Sequence, residues 1–177
     1  MDNGRYNDFL TFYLKQLLES AKLYSSEAKL CKDQAKKLFL LYLSSRKREQ
    51  YIRLEKENEK LRGAARQSGE KNIFIFKEIK YDDIELNQMD ALEVRFTLCE
   101  RAQREFKLFI ELASLEEESA TKRLLTKFSK LSKESINDVT MGFALFITPI
   151  KKYLKNPGLH SKVPSVTVRN EGMGIFS

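Results

Sequence analysis

The chain has no tryptophan, one histidine, two cysteines, three prolines and seven glycines in 177 residues. Each scarcity excludes something. Cys31 and Cys99 form no spacing motif, so neither a disulfide framework nor a zinc cluster is expected, and both read as free thiols of a reducing compartment. So few prolines and glycines speak against a turn-rich or disordered chain. No apolar run approaches the ~20 residues needed to span a bilayer; the best, Met141 to Ile150, is too short. Met1-Asp2-Asn3-Gly4-Arg5 lacks the basic-then-apolar pattern of a secretory signal, and a cytoplasmic location is expected. There is no glycine-rich phosphate loop and no Ser/His/Asp set.

What is present suits packed helices. Hydrophobic residues make up 42% and charged residues 32%, and 12 Phe and 7 Tyr supply the aromatic bulk. The net charge of +7 permits contact with nucleic acid or an anionic membrane. The Lys and Arg residues are interspersed with Glu, as on solvated helix faces, and Arg46-Lys47-Arg48 has no aromatic platform or helix-turn-helix spacing beside it. Neither nucleic acid nor membrane is expected as a partner.

The strongest signal is internal repetition. Residues 22–49 set over 107–134, an ungapped offset of 85, give nine identities in 28 pairs, among them Ala28/Ala113, Leu40/Leu125, Ser44/Ser129 and Glu49/Glu134, with Tyr24 facing Phe109. A repeated helix pair joined by a long connection describes a four-helix bundle with pseudo-symmetry.

The first helix is expected after Asn7-Asp8, with a seam of Leu10, Leu14, Leu17, Ala21, Tyr24 and Ala28 in steps of four and three. Lys32-Asp33 breaks it. A second helix puts Ala35, Leu38, Phe39, Tyr42 and Leu43 inward, then turns polar, with Ile52, Leu54 and Leu61 as weak anchors before Gly63. Residues 62–87 form the connection, with a β-prone stretch at 72–81. This length lets helices two and three run parallel. Asp90 followed by Glu93 predicts a capped start for the third helix, whose seam is Ala91, Val94, Leu98, Ala102, Phe109 and Ala113. The fourth carries Ala120, Leu124, Leu125, Phe128, Leu131 and Ile136; residues 139–148 either continue it or begin a fifth segment. The expected organisation is all-α: one bundle domain over 1–156, helix pairs at about 8–61 and 88–138, and an extended tail at 157–177.

Lys22-Leu23-Tyr24-Ser25-Ser26-Glu27-Ala28 followed by Ala35-Lys36-Lys37-Leu38-Phe39, echoed in Leu108-Phe109-Ile110-Glu111-Leu112-Ala113 and Lys122-Arg123-Leu124-Leu125, resembles the rubrerythrin branch of the ferritin-like superfamily. The resemblance covers roughly 8–60 and 88–138. It implies a ferritin-like bundle with a metal-binding Glu seven residues before each aromatic, Glu-x-x-His on the second and fourth helices, and a homodimer. Carried over position by position, the ligands are missing. Leu17 and Ala102 stand where the two Glu residues belong. The Glu-x-x-His positions fall on Arg46 and Glu49, and on Ser132 and Ser135, or after a two-residue shift on Glu134 and Asn137. The only histidine, His160, lies in the tail.

Hard divalent ions need several oxygen or imidazole donors, so no metal, cofactor or catalytic residue is expected. Arg46 is expected to occupy the cation's place, bonded to Glu49 and to Glu105 or Glu134. Glu19, Glu100, Glu105 and Glu134 are the residues left for an unconventional site. The leading expectation is a non-catalytic module for assembly or binding to an unnamed protein partner. The alternatives are a di-metal oxidoreductase with rearranged ligands and a basic nucleic-acid or membrane-surface binder.

Overall fold

The computed structural model describes residues 3–58 and 84–148. They form four helices, α1 (Asn3–Leu30), α2 (Gln34–Glu57), α3 (Ala91–Leu115) and α4 (Ser119–Phe146), and no strand. The 72–81 stretch, Gly63, Leu61, Pro149, His160 and the 157–177 tail lie outside the described residues. No described helix is long and apolar enough to cross a membrane.

Local chemistry sets several helix ends. Asp33 caps α2, its Oδ1 accepting from Ala35 N at 2.8 Å and Lys36 N at 3.1 Å. Asp90 and Glu93 form the expected capping box on α3. The two hairpins end in step: Leu30 and Leu115 close α1 and α3, and Gln34 and Ser119 open α2 and α4, each pair 85 positions apart.

Two expectations need correction. Helix α1 begins at Asn3, not after Asp8, because its extra turn has tertiary anchors: Tyr6 OH donates to Asn58 Oδ1 at 2.7 Å, and Arg5 pairs with Glu116 at 3.5 Å. Leu38 and Ile52 of α2 are exposed, and Ala120 of α4 is exposed while its neighbour Thr121 is fully buried. The helical phase turns Leu38 and Ala120 one position, and Ile52 two positions, off the buried seam. Of the two readings open for residues 139–148, the first holds: residues 139–146 continue α4 without a break. The polar end of α2 is covered along one side, where Gln50 and Leu54 are fully buried.

Cross-contacts fix the helix directions. Tyr6 meets Asn58, so α1 and α2 are antiparallel. Arg46 meets Asp138 and Gln50 meets Leu131, so α2 and α4 are antiparallel. Ser132 meets Glu105, so α4 and α3 are antiparallel. Helices α2 and α3 therefore run parallel. The end of the connection is tied down: Leu86 is fully buried, Lys36 Nζ donates to Asn87 O at 2.6 Å and Met89 O at 2.7 Å, and Glu27 accepts from Asn87 N at 2.7 Å.

The apolar core is in two parts. One joins Tyr13, Leu17, Leu54, Phe109, Phe128 and Leu131, with the Tyr13 and Phe128 rings stacked at 4.2 Å. The other joins Tyr24, Ala28, Phe39, Leu43, Leu98 and Val139. Reading along any of the four helices, the gap between the two clusters falls near the middle, and there the buried residues turn polar.

Candidate functional site

This polar layer is built from all four helices. Ser20 comes from α1, Ser44, Lys47 and Gln50 from α2, Glu105 from α3, and Ser132, Ser135 and Asp138 from α4, all of them buried. They lie on the inward seams rather than beside them. In α2 the buried order is Ala35, Phe39, Leu43, Lys47, Gln50, Leu54; in α3 it is Val94, Leu98, Ala102, Glu105, Phe109, Ala113. Helical spacing thus aims polar side chains into the same column as the apolar ones.

Inside the layer most polar groups find partners. Ser44 Oγ donates to Ala21 O at 2.7 Å, tying α2 to α1. Lys47 Nζ donates to Ser135 Oγ at 2.8 Å, and Ser135 donates in turn to Leu131 O at 2.9 Å. Gln50 Nε2 reaches Leu131 O and Ser135 Oγ, each at 3.4 Å. Ser132 Oγ donates to Phe128 O at 3.1 Å and approaches Glu105 Oε2 at 3.4 Å. Arg101 stands 3.6 Å from Glu105 Oε1. At the edge of the layer, Arg46 Nε donates to Asp138 Oδ1 at 2.9 Å, and its guanidinium also contacts Glu49. The hydrogen bond to Asp138 holds the Arg46 pKa above its already high ordinary value.

The layer contains a small cleft. Its polar wall is Arg46, Lys47, Glu105, Ser135 and Asp138; its apolar wall is Tyr24, Leu43, Leu98, Ala102 and Val139. Its volume is about 10 Å³, on the scale of a single water.

The residues singled out in the sequence are distributed as follows. Leu17 and Ala102 are buried beside the layer. Ser132 and Ser135 face into it, whereas the shifted alternative, Glu134 and Asn137, faces outward, with Glu134 paired to Arg53. On α2 the inward pair is Lys47 and Gln50, one position on from Arg46 and Glu49. The Arg46 side chain is 37% exposed and that of Glu49 57%. Arg46 does contact Glu49, but its second carboxylate is Asp138, not Glu105 or Glu134. Glu19 is exposed, and Glu100 pairs with Arg104 on the surface, so neither joins Glu105. Among the described residues no group of three His, Cys, Asp or Glu side chains is placed to hold a metal. Cys31 and Cys99 are half-buried and unbridged.

Lys47, Gln50 and Asp138 were not among the sequence candidates. A signal was available: counting Leu43, Lys47, Gln50, Leu54 in steps of four, three and four continues the apolar seam through two polar residues.

No family model matches this chain, and neither a curated protein nor a solved structure matches it.

Proposed function

We propose that this chain is a ferritin-like bundle of the rubrerythrin kind that holds no metal pair and serves as a structural or interaction module, not an enzyme. One observation carries the reading. The positions that the resemblance assigns to ligands are held by Leu17 and Ala102, buried beside the mid-bundle layer, and by Ser132 and Ser135 within it, and the layer also holds a buried lysine, Lys47. A di-metal carboxylate site wants about four carboxylates with histidines. Glu105 and Asp138 are two carboxylates, and a lysine and an arginine share their cleft. This donor set does not fit a metal pair, because the fixed cations repel divalent ions and leave too few oxygens.

With its centre filled by protein charge, the working parts of the bundle are its surfaces. Leu92 and Phe96 on α3, and Met141 and Leu145 on α4, are exposed apolar residues at helical spacing. A homodimer is the assembly this reading carries, and its mark is a solution mass of twice the chain mass. The rival reading, a di-metal oxidoreductase with rearranged ligands, draws on Glu105 and Asp138 lining one cleft. Metal analysis of protein made in iron- and manganese-supplemented medium separates the two: absence of stoichiometric metal supports the module, and two ions per chain refute it.

A further inference from the structure

The central cleft carries two incompletely used groups. Asp138 gives Oδ1 to Arg46, while its Oδ2 is buried and receives no hydrogen bond from the described residues. Lys47 is only 7% exposed, and its ammonium, with three protons to donate, makes one hydrogen bond among the described residues, to Ser135. Both side chains line the same cleft, yet no direct ion pair joins them among the described residues. Buried polar atoms in native proteins nearly always have partners.

The cleft decides what the partner is. Its volume of about 10 Å³ admits one water and nothing larger. A bound water wants two to four polar neighbours, and this one has a donor in Lys47 Nζ and acceptors in Asp138 and Glu105. A divalent ion meets Arg46 and Lys47, and a small anion meets Asp138 and Glu105, so charge disfavours both. We infer that a single ordered water occupies the cleft, accepting a hydrogen bond from Lys47 Nζ and donating one to Asp138 Oδ2, and so links α2 to α4 across the centre of the bundle. The inference rests on the geometry of the cleft and not on the family reading.

Two measurements test it. A crystal structure at about 1.5 Å should show one water peak within about 2.6–3.2 Å of both Lys47 Nζ and Asp138 Oδ2. An anomalous metal peak there, a larger molecule, or a direct contact between Lys47 and Asp138 overturns the inference. In urea unfolding, Lys47→Met, Asp138→Asn and the double variant should be non-additive. The double should retain a folding constant at least about fivefold above the product of the two single effects; simple additivity counts against a water-linked pair. Lys47→Leu, which also lacks a donor, replaces Lys47→Met in the cycle if the latter does not fold.

Discussion

The Lys47 ammonium on α2 donates a 2.8 Å hydrogen bond to the Ser135 hydroxyl on α4, and both residues are buried. A charged lysine between two apolar clusters is costly unless its donors are used. Ser135 provides an acceptor and donates its own hydrogen bond to Leu131 O, so the contact ties α2 to α4. Ser135→Ala should therefore cost about 1–3 kcal/mol, the price of leaving a buried donor unpaired. Urea unfolding measures it. Ser132→Ala should cost less, about 1 kcal/mol, because its hydroxyl bonds chiefly within its own helix, at 3.1 Å, and reaches Glu105 only at 3.4 Å.

Gly142 lets α4 pack closely on α2. A Cβ added there would lie 2.7 Å from Tyr42 Cδ1 and 3.0 Å from Phe39 Cδ2. Alanine is worth about 1 kcal/mol over glycine inside a helix, but here the ring has little room to retreat: Tyr42 packs on the Phe146 ring, centroids 5.7 Å apart, and Phe39 is fully buried. Gly142→Ala should be destabilising by about 1–3 kcal/mol. In a Tyr42→Ala background the penalty should shrink by at least about 1 kcal/mol. Thermal or chemical unfolding of the four proteins checks both statements.

The two thiols should behave as packing residues. Burial pushes the Cys31 thiol up, with Lys36 pulling partly the other way; burial also raises Cys99, opposed by Thr140 and Arg95. Alkylation of the native protein should be slower than that of the urea-unfolded chain at pH 7.5, and should still be accelerating above about pH 8.5. The linked stability effect has a definite sign. The native state keeps these protons where the unfolded chain has released them, so stability is unaffected well below about pH 8.5 and falls as pH rises through the raised values. Equal labelling rates for native and unfolded protein would contradict this.

Much of the scaffold was legible in the sequence, and the reasons are local. The α1 seam from Leu10 to Ala28, the Asp33 break, the Asp90–Glu93 box and the seam of α3 are written in short-range spacing and capping chemistry. The length of the chain between α2 and α3 allowed a parallel run without requiring it. The layer at the centre was harder to read. Hydropathy scores Lys47 and Gln50 as surface residues, and only tertiary partners (Ser135 and the Leu131 carbonyl) make them tolerable inside. The choice between Arg46/Glu49 and Lys47/Gln50 is a one-position question, a rotation of about 100° on a helix. A motif carried over from a resemblance does not settle that, whereas the helix's own seam does. Leu38 and Ala120, each one position off a buried residue, are misread for the same reason.

The account turns on what the centre of the bundle holds, and metal stoichiometry tests this most directly. Protein produced in iron- and manganese-supplemented medium, purified without chelator, should contain well under about 0.1 iron or manganese per chain by elemental analysis, against the pair a ferritin-like site takes. Its unfolding midpoint should also be unchanged by added Mn²⁺, since a ligand that binds only the native state would raise it. Two ions per chain, with a midpoint that falls when they are removed, would contradict the reading and restore the di-metal alternative.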